Sequence, residues 1–198
     1  MRIVGGNLRG LKLADIGEGD TAAHLRPTTD RVREAIFNLL VNGNHGNPLP
    51  GARVLDLFAG TGALGLEALS RGAARVAFVD DGVKARALIR GNVERARAMG
   101  MTDIWRRDAT RLGVNRSAAY GLIFLDPPYG KSLGEEAIAS ALGGGWIAPG
   151  ATIIWEEARP PALPAPLILL DQRSYGSSLV TMARMPLAGD AGFSVTAG

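Results

Sequence analysis

The stretch Asp126, Pro127, Pro128, Tyr129 places an acid, two prolines and an aromatic ring directly after the apolar residues 122–125. A residue that precedes proline is restricted to extended backbone, so we predict that the Asp126 carboxylate projects from the end of a strand. Pro128 has no N–H, which makes the turn rigid and lets the Pro127 carbonyl face outward. The stretch therefore predicts two hydrogen-bond acceptors beside one stacking ring.

These groups suit an exocyclic amine on a planar base. The two amine hydrogens would bond to Asp126 and to the Pro127 carbonyl while Tyr129 stacks on the base, and such stacking contributes about 1–3 kcal/mol. Holding the nitrogen in line with a donor methyl group supplies the proximity that a displacement needs. The chain has no cysteine, so it lacks the thiolate that methylation at pyrimidine carbon 5 requires. We interpret Asp126, Pro127 and Tyr129 as catalytic, and Pro128 and Tyr129 as substrate-binding.

A glycine-rich loop lies upstream of this stretch. Gly60, Gly62 and Gly65 spell G-x-G-x-x-G between a predicted strand and a predicted helix, and Asp80 ends the next strand twenty residues after Gly60. This pattern is the dinucleotide fingerprint, with an acid for the ribose hydroxyls. It would equally serve S-adenosylmethionine (SAM), whose nucleoside carries no phosphates. The glycine loop alone leaves both cofactors open.

Two further acids favour SAM. Asp56 lies four residues before Gly60, where a carboxylate suits a cationic ammonium and sulfonium better than a pyrophosphate. Asp108 follows the third predicted strand and is placed to accept a hydrogen bond from an adenine amine. Either acid alone could merely cap a helix. Their order along the chain, together with the stretch at Asp126, predicts a SAM site.

Composition restricts the class of protein. A chain of 198 residues with 46% hydrophobic content is expected to form one principal domain. Its two histidines, His24 and His45, are too few and too isolated for a metal cluster or a Ser-His-Asp arrangement, so we expect no metal. No apolar run is long enough to span a bilayer and no secretory signal is visible, so we expect a cytoplasmic protein with no membrane partner.

The segment 84–116 is locally basic, although the net charge of the chain is only +3. It holds nine Lys or Arg residues against three acids. Such an excess could face nucleic acid. It could equally be a solvated helix face in a chain that prefers arginine, and the sequence leaves these two interpretations open.

Short apolar runs alternate with helical periodicity, which predicts an α/β fold with a mostly parallel, Rossmann-like sheet flanked by helices. The helices are predicted over 63–72, ending at the capping Gly72, and over 83–99. The run from 165 to 185 is broken by "SYGSS" and predicts a closing antiparallel hairpin. The parallel strands are predicted at 53–58, 75–80, 102–107, 120–126 and 151–157.

The Gly, Asn and Pro content of residues 41–51 indicates a linker. We therefore predict an N-terminal extension over 1–50, a catalytic domain over 51–186 and a disordered tail over 187–198. The extension should contain a small β-hairpin at 2–13 and a helix with Thr28 or Thr29 as its N-cap. One face of that helix is apolar and carries Val32, Ala35, Ile36, Leu39 and Leu40.

Several motifs resemble a known family. "LDLFAGTGALGLEALSRGA" with "DPPY" resembles the class I SAM-dependent methyltransferases that act on amino groups. "LRPTTDRVREAIFNLL", "RIVGGNLRGLKL" and "SYGSSLVTMAR" resemble the bacterial 16S rRNA guanine-N2 methyltransferases of the RsmD type. The resemblance covers residues 1 to about 186. "DPPY" is shared with many amino methyltransferases of DNA, RNA and protein, whereas "RPTTDRVRE" is the specific motif.

The resemblance implies a class I methyltransferase fold and a monomer that methylates the N2 amine of a guanine in 16S rRNA, within a small-subunit particle. Residues 126–129 would hold the guanine, and Arg26, Thr28 and Arg31 would bind substrate beside it, unless they serve only as cap and surface charge. The chain reads Asp80, Asp81, Gly82 where the family often has an acid, a variable residue and Asp, so Asp81 could take over a role there. The implied SAM-binding residues are Asp56, Ala59, Gly60, Thr61, Gly62, Asp80, Asp81, Asp108 and Ala109.

Other functions share parts of this pattern. A DNA or protein amino methyltransferase would have the same core. However, no separate target-recognition domain is visible, and protein glutamine enzymes usually carry Asn at the position of Asp126. A different class is an NAD-binding oxidoreductase or a catalytically silent nucleotide-binding module. That class leaves the stretch 126–129 unexplained.

Overall fold

A computed structural model describes residues 1–14, 29–187 and 189. Four α-helices, seven strands and three short 3-10 turns form the described part. The helices are α1 (Asp30–Asn42), α2 (Ala63–Ser70), α3 (Val83–Arg95) and α4 (Leu133–Gly143). The strands are β1 (Arg53–Leu57), β2 (Arg75–Val79), β3 (Thr102–Trp105), β4 (Tyr120–Leu125), β5 (Ile147–Glu157), β6 (Ile168–Tyr175) and β7 (Ser178–Arg184).

The seven strands form one sheet in the order β3-β2-β1-β4-β5-β7-β6. The first five strands are parallel, and β7 lies antiparallel between β5 and β6. The predicted Rossmann-like α/β fold with a closing antiparallel hairpin is confirmed. Parallel strands end at the same edge of a sheet, where such folds bind ligands. Leu125 pairs with Trp155, so Asp126 and Glu156 emerge side by side at that edge.

Buried side chains on the two faces of the sheet form two apolar clusters. One cluster joins Val54 of β1 to α1, α2 and α3, and the other joins Leu55 to α4. Successive strand residues point to opposite faces, which explains why neighbours in β1 belong to different clusters. Both faces of the central strands are therefore covered, as their nearly continuous apolar sequences require.

The N-terminal segment packs onto the first of these clusters. Ile3 and Phe37 are fully buried in it, and the Phe37 ring lies 5.6 Å from that of Phe124 in β4. The predicted hairpin is present as a single antiparallel bridge between Arg2 and Lys12. The extension thus shares its apolar core with the sheet, while the division into three regions stays a prediction.

A buried carboxylate fastens this segment to α2. Glu67 accepts hydrogen bonds from the Val4 and Gly5 N–H groups, each at 2.8 Å, and from Arg71 Nε at 2.8 Å. Arg33 of α1 is also fully buried, with Nε 3.7 Å from Glu67. The hairpin, α1 and α2 therefore meet at one charged cluster inside the protein.

The observed elements differ from the predicted ones in several places: among the strands, β5 begins at Ile147 rather than at 151 and β3 ends at Trp105 rather than at 107. α1 continues to Asn42, inside the predicted linker, and α2 ends at Ser70 rather than Gly72. α3 ends at Arg95, because Arg97 turns into the left-handed region with φ +53°. α4 was not predicted. The tail prediction falls mostly on positions outside the described residues.

Of the two predicted N-cap candidates, Thr28 and Thr29, the cap of α1 is Thr29, since its side chain accepts a hydrogen bond from the Val32 N–H at 3.3 Å. The described helices are all too short or too polar to cross a membrane.

Candidate active site

A cleft of about 770 Å³ opens at the carboxyl edge of the parallel strands. It is bounded by the loops that follow β1, β2 and β4 and by the ends of β5 and β7. Most of the residues that the sequence assigned to a cofactor or a base meet there. Those that line the cleft are Asp56, Ala59, Gly60, Thr61, Asp80, Asp81, Asp126, Pro127, Pro128 and Tyr129.

The glycine loop brings α2 close against the sheet. Gly62 begins the helix in the left-handed region with φ +76°, which favours glycine. A Cβ atom on Gly65 would lie 2.4 Å from Phe78 Cε1, so only glycine allows this approach. The loop can therefore enter the cleft as a tight backbone turn.

Asp56 supports this turn from below. It is 1% exposed, and its Oδ2 accepts a hydrogen bond from the Gly65 N–H at 3.0 Å. Burial raises the pKa of Asp56 well above its usual range, the Gly65 N–H opposes that rise, and the charges of Asp126 and Asp80 add to it. Asp56 therefore has both a structural hydrogen bond and an unfavourable electrostatic environment.

Asp80 joins the loops after β1 and β2. Its Oδ2 accepts from the Gly60 N–H at 2.9 Å, and its Oδ1 accepts from the Gly82 N–H at 2.8 Å. Burial raises the pKa of Asp80, and these two N–H groups partly offset the rise. The carboxylate thus stays at the end of β2 in the orientation that both loops impose.

Acidic groups dominate the inner surface of the cleft. Asp56, Asp80 and Asp126 interact strongly enough for the charges of the other two to raise the pKa of Asp56. Lys84 and Lys131 also line the cleft, but both are exposed. A cationic ligand would relieve the repulsion among the carboxylates, whereas a pyrophosphate would increase it.

The Tyr129 hydroxyl is fixed by two side chains that the sequence analysis missed. It donates to Glu156 Oε1 at 2.9 Å and lies 3.0 Å from Ser178 Oγ. Burial raises the pKa of Tyr129. Glu156 is the penultimate residue of the parallel strand β5, as Asp56 is of β1, so the rule that identified Asp56 could have found it.

Of three further residues that line the cleft, only Phe58 carried no sequence signal. Phe58 follows β1 with φ +57°, a strained conformation for a residue with a Cβ. Thr29 and Val32 at the start of α1 also line the cleft. The "RPTTDRVRE" motif therefore reaches the cleft through these two residues.

Four predicted site residues are absent from the lining of this cleft: Gly62, Asp108, Ala109 and Arg31. Asp108 is exposed and caps a short 3-10 turn, where its Oδ1 accepts from the N–H and the hydroxyl of Thr110. Those hydrogen bonds lower the pKa of Asp108. Arg26 and Thr28 lie outside the described residues.

Two cations of the basic segment make structural contacts. Arg86 is buried and donates to the carbonyls of Asp80 and Asp81, and Arg107 stacks over two tryptophan rings. Lys84 lies at the cleft end of α3, whereas Arg95 lies eleven residues along the helix, about 16 Å away. Arg86 and Arg107 therefore serve structural contacts, and Lys84 and Arg95 lie at opposite ends of α3.

Comparisons with known proteins agree with this architecture. The model of a family described as "Conserved hypothetical protein 95" matches residues 1–184. The ribosomal RNA small subunit methyltransferase D of Escherichia coli K12 is 38% identical over 165 residues, which cover 83% of this chain and 78% of that protein. The protein of the same name from Haemophilus influenzae is 34% identical over 186 residues, 89% of each chain.

A solved structure is similar over nearly the whole chain. It is an Escherichia coli protein described as a candidate methyltransferase. The TM-score is 0.78 at 34% sequence identity, and the match covers 94% of this chain and 98% of that one. The likeness therefore includes the N-terminal segment as well as the sheet.

Proposed function

The chain belongs to the RsmD family of ribosomal RNA methyltransferases, and from this membership we propose that it transfers the methyl group of SAM to the exocyclic N2 amine of one guanine in 16S rRNA. The proposal includes a monomeric, cytoplasmic enzyme that acts on a small-subunit particle. The observation that carries it is the position of Asp126 to Tyr129, which share one cleft with the glycine loop and the acids at the strand ends.

The chemistry of the cleft fits SAM. When bound, SAM supplies a methyl group activated by a positively charged sulfur. Gly60 and Thr61 would hold its methionine end and Asp80 its ribose, whereas Asp108, which the sequence assigned to the adenine, does not line the cleft. The carboxylates of Asp56, Asp80 and Asp126 favour the positive charges of that ligand and disfavour a pyrophosphate, which argues against the NAD-binding alternative.

The target amine would be held by residues 126–129. The Asp126 carboxylate and the Pro127 carbonyl accept its two hydrogens, and Tyr129 stacks on the base. This arrangement aims the nitrogen lone pair at the methyl carbon. With SAM supplying the methyl group, Asp126 would be placed to take the proton that the nitrogen loses.

The geometry of two acceptors and a ring would accommodate the amine of adenine or cytosine as well as that of guanine. Membership of the RsmD family supports the guanine N2 amine of 16S rRNA over the amino groups of DNA or protein. Thr29 and Val32 place the start of α1 at the cleft, which supports a substrate-binding role for the neighbouring Arg26, Thr28 and Arg31.

Mass mapping of 16S rRNA from a strain that lacks the gene tests the proposal. One N2-methylguanosine should be missing, and the wild-type gene should restore it. A gene for Asp126→Ala, expressed at the same level, should restore much less of it. If every 16S methylation persists in the deletion strain, or if a different base loses its methyl group, the proposed substrate is wrong.

A further inference from the structure

Tyr129 is connected to two other elements of the sheet through its hydroxyl group. Glu156 lies at the end of β5 and Ser178 at the start of β7, and both line the cleft. The hydroxyl donates to Glu156 Oε1 at 2.9 Å and lies 3.0 Å from Ser178 Oγ. Since the phenol proton is committed to the carboxylate, the serine hydroxyl is the donor in the second contact.

We infer that Glu156 and Ser178 are positioning residues for methyl transfer, because together they fix the Tyr129 ring in the orientation in which it stacks on the target base. The inference rests on the proposed function, since it needs a base beside Tyr129. A ring on a loop after β4 has two side-chain torsions to lose when it stacks. Two hydrogen bonds to rigid strands remove that freedom before the base arrives.

The burial of Glu156 supports a functional role over a purely structural one. The side chain is 5% exposed, and its Oε2 is buried with no hydrogen-bond donor in the part of the chain that the structure describes. A buried carboxylate oxygen without a donor lowers stability. The protein thus keeps an unfavourable carboxylate at the position that accepts the hydrogen bond of the Tyr129 hydroxyl.

A double-mutant cycle on single-turnover methylation of small-subunit particles tests the inference, at saturating SAM and RNA. Glu156→Leu and Tyr129→Phe should each lower the rate constant about tenfold, as for one lost orienting hydrogen bond. Glu156→Gln keeps an acceptor and should recover most of the rate. Combined with Tyr129→Phe, Glu156→Leu should cause no further loss. Ser178→Ala should lower the rate about threefold, again only while Tyr129 is present.

The affinity for SAM and the melting temperature of Glu156→Gln should match the wild type. Glu157→Gln and Ser174→Ala are matched controls, since they change the same residue types on β5 and β6 without touching the Tyr129 hydroxyl, and their rates should be normal. In labelled protein, the ¹³Cζ resonance of Tyr129 should shift in Glu156→Leu and Ser178→Ala. Only three tyrosines are present, so Tyr129→Phe assigns it.

If Glu156→Leu lowers the rate constant by the same factor in the wild type and in Tyr129→Phe, the inference is wrong. An unchanged ¹³Cζ resonance of Tyr129 in Glu156→Leu would also overturn it. Either result would leave the proposed function standing, because the wild-type protein would still methylate the particle. If the wild-type protein transfers no methyl group to 16S rRNA in any form, the proposed function fails and the inference fails with it.

Discussion

Asp56 Oδ2 accepts a hydrogen bond from the Gly65 N–H at 3.0 Å, so an almost completely buried carboxylate holds the first turn of α2 beneath the cleft. Burial and the charges of Asp126 and Asp80 raise its pKa, against the effect of the Gly65 N–H. The ionised form of Asp56 therefore destabilises the free protein. A cationic ligand in the cleft would offset that effect, which links stability to binding.

Asp56→Asn should separate the hydrogen bond to Gly65 from the destabilising charge of the Asp56 carboxylate. Asp56 binds a proton more readily in the folded than in the unfolded chain, so its stabilising contribution is present at low pH and lost as pH rises through the raised folded-state pKa. Asparagine keeps the acceptor for Gly65 and does not titrate. The variant should therefore melt higher than the wild type at pH 8, and this gain should shrink as pH falls toward 4. Calorimetry across that pH range measures the difference in melting temperature between the variant and the wild type. A difference that grows as pH falls would contradict the prediction.

The cofactor assignment predicts that the protein binds SAM and its demethylated product but not NAD. The acidic inner surface favours the sulfonium and ammonium groups, so SAM should bind more tightly than the product, which lacks the sulfonium charge. Asp56→Asn should reduce the affinity for SAM more than that for the product. Titration calorimetry measures all three ligands. Micromolar binding of NAD without binding of SAM would refute the assignment.

Asn92 of α3 connects the N-terminal segment to the glycine loop. The side chain is fully buried; its Oδ1 accepts from the Ala14 N–H at 2.7 Å, and its Nδ2 donates to the carbonyls of Ala14 and Thr61 at 3.0 and 2.9 Å. Asn92→Ala leaves those backbone groups unpaired, and we expect the free energy of unfolding to fall by about 1–3 kcal/mol. SAM affinity should also fall, because Thr61 lines the cleft. Asn38→Ala, on the exposed side of α1, is the control for both measurements.

The sequence predicted the strand-end acids, the Thr29 cap and the parallel sheet because each depends on neighbours in the chain or on a short period. Asp56, Asp80 and Asp126 meet because parallel strands end at one edge. The contacts of Tyr129 with Glu156 and Ser178 join residues 27 and 49 positions apart, and no local pattern encodes them. α4 escaped prediction because glycines near both of its ends resemble turns.

The buried cluster at Glu67 was also invisible in the sequence, since its partners come from three separate segments. Glu67→Ala removes the acceptor for Val4, Gly5 and Arg71 and leaves the buried Arg33 with only the half-exposed carboxylate of Asp30 beside it. Breaking a buried ion pair typically costs about 3–5 kcal/mol. Urea unfolding should show a loss of that order, whereas Glu94→Ala on the exposed face of α3 should change stability little. A loss below about 1 kcal/mol would mean that the hairpin and α1 do not depend on this carboxylate.

Asp126→Ala tests the chemistry of the cleft directly. Its side chain lines the cleft and belongs to neither apolar cluster, so the variant should fold and melt like the wild type. Losing one charge-assisted hydrogen bond to the target amine costs about 1.5–3 kcal/mol, before any misalignment of the nitrogen is counted. We therefore expect turnover to fall at least about tenfold to a hundredfold.

The affinity of Asp126→Ala for SAM should change much less than its turnover, because the proposed partner of Asp126 is the amine and not the cofactor. Asp171→Ala removes a carboxylate from an exposed ion pair with Arg173 and serves as the control. Single-turnover methylation of small-subunit particles by the two variants, with melting temperatures measured in parallel, gives the comparison. A near-normal rate for Asp126→Ala would show that methyl transfer does not need the Asp126 carboxylate. The amine would then be oriented by other groups, of which the Pro127 carbonyl is the one at the end of β4.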